Sequence, residues 1–323
     1  VVGIYDCLET GEYYGQYIMP FFGSDDMFMV RGVGGDGTRR DLSHYMYTSS
    51  NTWIASVWEF AYQGLDRANL AIASIEQMEG YEGNTALQEL VGQAKFLRAF
   101  LAFDLVRFFG DVPFSVDYTS GYEQTSKPRM DRELIYDQII DDLNFAKEHL
   151  YVGSAVASSE IPCKGAARAL LMRVYLQRAG YSLSSTTGKL TRPDDTTRKS
   201  YFEAVIREWE TFKVEGYHNF YGGGYEQLFK NYSQLILNNQ ESLWEIAFEP
   251  NQGQTDNSGM WATYNGPIVD APGSYSGTSS YMGRANAFFT VLPYWKSFYE
   301  SNADGSQKDV RRDVNFVDYA YVW

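Results

Sequence analysis

Tyrosine and tryptophan cluster with asparagine, glycine and serine in segments that lack a helical period. These segments are residues 45–53, 217–225 and 252–281, in a chain whose aromatic content is 16%. A flat aromatic ring can stack on the apolar face of a sugar, while its polar edge and the amide and hydroxyl groups around it form hydrogen bonds with the sugar hydroxyls. The same composition is typical of antibody-like loops that bind protein. The pattern predicts a binding surface, with these candidate ligand-binding residues: Asn51, Trp53, Trp261, Tyr264, Asn265, Tyr275 and Tyr281.

The aromatic candidates differ in their local context. Trp53 follows Asn51 in a loop at the start of a long helix, where its ring either forms an exposed stacking platform beside an amide or is buried. Trp261 lies in GMWATYNGP, where glycine on both sides favours exposure. Trp58 and Tyr62 are spaced by four residues on a predicted helix, and we interpret them as packing residues.

Residues able to catalyse a reaction or to hold a metal are not grouped in a recognisable motif. Asp141 and Asp142 are adjacent on a predicted helix and so point apart, which marks a solvated face more than a catalytic pair. No GxSxG, HExxH or P-loop pattern occurs, and neither Cys7 nor Cys163 has zinc-ligand partners. We expect Cys163, at a helix start, to be structural. The sequence therefore predicts no enzyme, no cofactor and no metal, and nothing in it supports a calcium site.

Composition excludes further classes of function. The chain has 323 residues, 44% of them hydrophobic, which is enough for one large or two modest domains. Its formal net charge of −14 and pI near 4.7 repel phosphate backbones, so nucleic acid is not an expected partner. No run approaches the ~18 consecutive apolar residues of a membrane-spanning helix.

Helical periodicity dominates the middle of the chain. Residues 94–114 read AKFLRAFLAFDLVRFFGDVPF, with apolar positions three or four apart. Gly110 can adopt a positive φ and Pro113 cannot continue the helix, so the helix is predicted to end there. Further helices are predicted at 56–78, 133–150 and 201–213. The bulky alternation of residues 242–248, SLWEIAF, predicts a strand in which Trp244 is buried.

Two of the helices repeat each other. Arg98 and Arg168 are 70 residues apart, as are Gly110 and Gly180, and two hairpins of ~34 residues fill that interval. The alternative is an ordinary helical domain in which two segments match by chance. We predict a mainly α fold of tetratricopeptide-like hairpins with an elaborated ligand-binding region of loops and short strands. The predicted divisions are an N-terminal segment at 1–52, the helical scaffold at 53–240 and the ligand-binding region at 241–323.

Taken in order, the motifs resemble those of the SusD/RagB family of outer-membrane nutrient-binding lipoproteins. The matching segments are SDD at 24–26, W-x3-Y-x3-D-R-A-N at 58–69, the helix and FFGDVP turn at 94–114, the segment at 132–143, KGAARALLMRVYLQRAG from 164, NNQESLWEIAF from 238 and KDVRRD from 308. Together they cover most of the chain, and the FFGDVP ending after A-K-F-L-R-A is the most specific of them.

This resemblance implies a function as well as a fold. Family members capture oligosaccharides, or peptides in the RagB-like branch, and deliver them to a SusC-type TonB-dependent transporter in the outer membrane; they are not enzymes. A lipidated N-terminal cysteine anchors them at the cell surface. Cys7 does not match that cysteine, so we expect the anchor in a segment that precedes this chain. Relatives also continue beyond the point that corresponds to Trp323, so the ligand-binding region is expected to be incomplete at its C-terminus.

Overall fold

Helices account for most of the structure, a computed structural model that describes residues 1–23, 26–29, 37–234, 236–238, 240–248, 259–266, 269–270, 287–316 and 321–322. The mainly α fold predicted from the sequence is confirmed. The α-helices, in chain order, are α1 (Val2–Leu8), α2 (Met19–Phe22), α3 (Gly37–Ser43), α4 (Thr52–Glu76), α5 (Thr85–Phe109), α6 (Arg132–His149), α7 (Lys164–Arg178), α8 (Asp195–Glu215), α9 (Tyr225–Ser233), α10 (Trp261–Asn265) and α11 (Arg311–Asn315). None of these helices combines the length and hydropathy needed to cross a membrane, as far as the described residues go.

Strands are short and occur as three pairs in the described part of the chain. They are β1 (Met27–Met29), β2 (Ser182–Leu183), β3 (Leu190–Thr191), β4 (Val269–Asp270), β5 (Phe289–Val291) and β6 (Tyr321–Val322). The pairs β1–β5 and β2–β3 are antiparallel, and β4–β6 is parallel. The strand predicted at 242–248 is wrong, because these residues form no ladder. Trp244 instead stands edge-on to Phe96 and Phe100 at 5.0 Å from each and donates from Nε1 to the Glu160 carbonyl.

The chain divides into two units that are each assembled from distant segments. The first unit comprises Val1–Leu8, Phe60–Gly222 and Ile236–Ala247, and the second comprises Glu9–Glu59, Gly223–Leu235 and Phe248–Trp323. This division interleaves along the sequence, whereas the predicted boundaries at residues 52 and 240 are sequential and stay predictions.

Consecutive helices pack against each other in the first unit. Helix α5 contacts α6, α6 contacts α7, and α7 contacts α8. The apolar stripe predicted for α5 is buried through Leu97, Leu101 and Leu105. Helix α5 ends as predicted, since Gly110 has a φ of +75° and Phe109 is the last helical residue.

A buried ion pair joins α5 to α6. Both carboxylate oxygens of Asp142 accept from Arg98, at 2.7 Å from Nε and 2.6 Å from Nη2. The third Arg98 nitrogen, Nη1, donates to the side-chain oxygen of Asn69 of α4, whose amide nitrogen donates to the Ser115 and Asp117 carbonyls. Asp142 is 2% exposed, so its predicted place on a solvated face is wrong. The carboxylate is inside because a guanidinium from the neighbouring helix satisfies both of its oxygens.

Three further residues of the W-x3-Y-x3-D-R-A-N motif connect α4 to other segments of the first unit. Tyr62 donates to the Pro113 carbonyl at 2.6 Å, which accords with the packing role predicted for it. Asp66 accepts from the Thr119 backbone, and Arg67 pairs with Asp6 at 2.8 Å. These motif residues of the first unit therefore serve the scaffold.

Both cysteines are buried in the first unit and about 1% exposed. Cys163 immediately precedes α7, with its sulfur 3.4 Å from Nε2 of His218. Burial raises the pKa of the Cys163 thiol, which outweighs the opposing effect of nearby backbone N–H groups. Burial also raises the pKa of Cys7. The reactive thiolate is therefore rarer at neutral pH than in an exposed cysteine.

We expect the native protein to be inert towards Ellman's reagent at neutral pH, because both thiols are protonated and enclosed. In concentrated guanidinium chloride both thiols should react at the rate of an unstructured peptide thiol. The measurement is the absorbance of released thionitrobenzoate with and without denaturant. Rapid release of one equivalent from the folded protein would contradict the structural role of these cysteines.

Candidate functional site

The start of α4 buries two of the predicted ligand-binding residues. The side chain of Asn51 accepts from the Trp53 and Ile54 backbone N–H groups and donates to the Thr38 carbonyl at 2.8 Å. It thus caps α4 and is 6% exposed. Trp53 is also 6% exposed, with its ring stacked on Tyr17 at 4.2 Å and 7°. The exposed platform predicted for Trp53 is wrong, because the cap directs the ring into the core.

Tyr264 is buried in the same core cluster of the second unit. It is 5% exposed, and its hydroxyl accepts from Nε2 of Gln16 and, at 2.7 Å, from Nη1 of Arg39. Its ring centroid is 5.0 Å from that of Phe288. The sequence placed Tyr264 in an exposed loop, and the structure corrects this. The residue belongs to short helix α10, whose inner face it occupies.

Arg39 is the residue of this cluster that the sequence analysis missed. Its guanidinium carbon lies 4.5 Å from the ring centroid of Phe288, 5.2 Å from Tyr264 and 5.8 Å from Trp53. Only 9% of Arg39 is exposed. A desolvated cation on aromatic faces contributes about 2 kcal/mol. The TRRD segment at 38–41 was a possible signal, but nothing in it distinguishes the buried Arg39 from the exposed Arg40.

Helix α10 leaves Trp261 half-buried and Asn265 exposed. The indole N–H of Trp261 donates to the Tyr14 carbonyl at 2.6 Å, and its ring is half-buried beside Phe22. Asn265 is exposed, and its amide makes no hydrogen bond with any residue that the structure describes. Since positions four apart share one face of a helix, the Trp261 ring and the Asn265 amide are neighbours on α10.

A second exposed aromatic group follows α3. Tyr45, Met46 and Tyr47 are 69%, 71% and 52% exposed. The Met46 N–H donates to the Asp41 carbonyl and the Tyr45 N–H donates to the Leu42 carbonyl. These two hydrogen bonds form the Schellman motif at the C-terminus of α3. Tyr45 occupies its positive-φ position, at +57°, where glycine is usual. The aromatic segment 45–53 was identified from the sequence, but its exposed rings are Tyr45 and Tyr47.

Two further candidates, Tyr275 and Tyr281, lie outside the residues that the structure describes. Within the described residues, no group of three or more His, Cys, Asp or Glu side chains is arranged to hold a metal ion. The described candidate surface therefore consists of the Trp261–Asn265 pair on α10 and the Tyr45–Tyr47 loop. We call these the α10 pair and the tyrosine loop.

This chain is similar to known proteins in sequence and in fold. Residues 24–176 match the SusD-like family model described as "Starch-binding associating with outer membrane". SusD-like protein P2 of Formosa agariphila is 29% identical over 183 residues, which are 55% of this chain and 35% of that protein.

Two solved structures share the fold. A SusD homolog from Bacteroides thetaiotaomicron superposes with a TM-score of 0.74 and 25% identity, over 90% of this chain and 52% of the other. Surface glycan-binding protein A from Bacteroides fluxus has a TM-score of 0.72 and 20% identity, over 97% of this chain and 62% of the other. The chain thus spans about a third to three fifths of the length of these proteins.

Proposed function

Because this chain belongs to the SusD-like family, we propose that it is a non-catalytic cell-surface protein that captures oligosaccharides and delivers them to a SusC-type TonB-dependent outer-membrane transporter. The family's description as starch-binding and associated with the outer membrane supports this proposal. So does the name of one structurally similar protein, a surface glycan-binding protein. Since the chain spans only part of these relatives' length, its function, its transporter partner and its lipid anchoring at the cell surface are all proposals.

The observation that carries the proposal is the α10 pair. The Trp261 ring is part-exposed and its indole N–H is already used by Tyr14, so what it can offer a ligand is its apolar ring surface. The Asn265 amide, on the same helix face, can donate to and accept from sugar hydroxyls. A ring for the face of a pyranose and an amide for its rim are the two parts that sugar recognition needs. Their small number implies modest affinity, which suits release into a transporter.

The tyrosine loop extends the proposed surface. Tyr45 and Tyr47 are exposed and offer a ring face and a hydroxyl each. The positive φ of Tyr45 costs free energy, of the order of 1 kcal/mol, and such strain is often kept where it positions a side chain for a ligand. We propose Tyr45 and Tyr47 as ligand contacts in place of Trp53 and Tyr264, which are buried.

Trp261→Ala is expected to weaken glycan binding about tenfold, and Asn265→Ala about fivefold, because each removes one contact of the α10 pair. The measurement is isothermal titration against a panel of plant, host and microbial oligosaccharides. Tyr122→Ala is the matched control, since Tyr122 is 89% exposed but belongs to the first unit. If no glycan binds, or if all three variants bind equally, the α10 pair is not the capture site.

Peptide capture, as in the RagB-like branch, is the alternative. It is favoured by the composition of the tyrosine loop and the residues after it, where exposed Tyr, Thr and Ser resemble the contact residues of protein-binding loops. Incubation with a peptide mixture, followed by mass spectrometry of the retained peptides, distinguishes the two ligands. Retention of peptides, together with no binding to any glycan of the panel, would favour this alternative.

A further inference from the structure

A cavity of about 370 Å³ opens in the first unit, away from both the α10 pair and the tyrosine loop in sequence. It is enclosed by the C-terminal end of α5, the N-terminal end of α6, the C-terminal end of α7 and the β2–β3 hairpin. This volume falls in the range of pockets that hold small ligands. No motif in the sequence predicted it, because its walls come from four separate segments.

The cavity is positively charged in an otherwise acidic chain. Its lining contains Arg107, Arg129 and Arg132 but a single carboxylate, Asp111, whereas the whole chain has a formal net charge of −14. A local excess of cations in such a chain marks a place where an anion is attracted.

Two of the three arginines already have partners. Arg132 pairs with Asp111 at 2.8 Å and donates to the Leu183 carbonyl at 2.6 Å. Burial alone would raise the pKa of Asp111, but hydrogen bonds from Ser185 and Arg132 outweigh it and lower the pKa, so the pair is ionised. Arg107 pairs with the buried Asp104 at 2.6 Å. Arg107 and Arg132 are thereby neutralised.

Arg129 supplies the remaining charge. It is exposed and makes no ion pair or hydrogen bond with any residue that the structure describes. One unbalanced guanidinium at the wall of a cavity matches a ligand with one negative charge, and its planar fork suits a carboxylate or a sulfate.

The remaining lining groups suit a sugar ring. Tyr181 is 62% exposed, with the guanidinium of Arg192 5.5 Å from its ring centroid. Gln177 offers an exposed side-chain amide that makes no hydrogen bond with the described residues. Ring, amide and guanidinium together could receive the face, the hydroxyls and the acidic group of one saccharide unit.

We propose that this cavity is a second saccharide site, which binds an acidic sugar unit with its carboxylate or sulfate against Arg129 and its ring against Tyr181. The inference rests on the proposed function, since the choice of a sugar over another small anion follows from glycan capture. It would give the protein a preference for uronic-acid-containing or sulfated glycans.

The test compares D-galacturonate, D-galactose 6-sulfate and neutral D-galactose, titrated into the full chain and followed by NMR chemical shifts. We expect both acidic sugars to bind about five- to tenfold more tightly than galactose at low ionic strength, and to lose this preference as salt is raised. Arg129→Gln should abolish the preference. Arg173→Gln is the matched control, because Arg173 is also an exposed arginine, on α7, and does not line the cavity.

Tyr181→Ala separates the contribution of ring stacking from that of charge, since it should weaken the binding of all three sugars by the same factor. Equal affinity for the three sugars, or equal effects of Arg129→Gln and Arg173→Gln, would overturn the proposal. If neutral glycans still bind through Trp261 and Asn265 in that case, the capture function stands and only the second site fails. If no sugar of any kind binds, both fail.

Discussion

Arg98→Ala is expected to lower the free energy of unfolding by about 3–5 kcal/mol, since it leaves the Asp142 carboxylate buried in the core without its ion-pair partner. The two side chains are 4% and 2% exposed, so water cannot replace the lost guanidinium. The variant also removes the partner of Asn69, whose amide holds the carbonyls of Ser115 and Asp117. The measurement is the urea midpoint of unfolding, followed by circular dichroism at constant protein concentration.

Arg67→Ala is the control for this variant. Arg67 and Asp6 approach as closely, at 2.8 Å, but their side chains are 43% and 66% exposed, so the expected loss is below about 1 kcal/mol. Replacing both Arg98 and Asp142 by leucine should cost less than Arg98→Leu alone, because no unpaired charge is then buried. Equal losses for Arg98→Ala and Arg67→Ala would contradict the buried network.

Trp53→Ala is expected to cost about 3–5 kcal/mol, because it opens a cavity beneath the cap of α4. Trp53 stacks on Tyr17, packs with the core around Tyr264 and lies 5.8 Å from the Arg39 guanidinium. Loss of binding in this variant would therefore report unfolding and not a ligand contact. Thermal unfolding measured by tryptophan fluorescence checks the stability, and glycan affinity is measured on the same samples.

Trp53→Phe separates the two roles of this position. Phenylalanine keeps a ring against Tyr17, so most of the stability should return, and glycan affinity should equal that of the wild type. Trp261→Phe gives the opposite expectation, since it keeps a ring against Phe22 and so most of the stability, but loses part of the aromatic surface offered to the ligand and with it part of the affinity. A tenfold loss of affinity in folded Trp53→Phe would show that Trp53 contacts the ligand and would contradict its purely structural role.

Features that depend on neighbours in sequence were predictable. The helix at α5 and its end at Gly110 followed from the three-to-four spacing of apolar residues and from a glycine before a proline. The family followed from motifs in a fixed order. Exposure was harder to predict, because a capping amide and a ligand-binding amide are the same residue type. Asn51 and Asn265 each lie within four residues of a tryptophan in the sequence. The side chain of Asn51 nevertheless caps α4, whereas that of Asn265 is exposed to solvent.

The sequence by itself determined the helical class, the helices of the scaffold and the resemblance to the SusD-like family, because these are encoded in local spacing. Only the tertiary structure decided that Asp142 is paired inside the core, that Trp53 and Tyr264 enclose Arg39, and that Arg129 lines a cavity. The physical reason is that burial and charge balance depend on which distant segments meet. Arg98 and Asp142 are 44 residues apart, and Arg39 and Tyr264 are 225 apart.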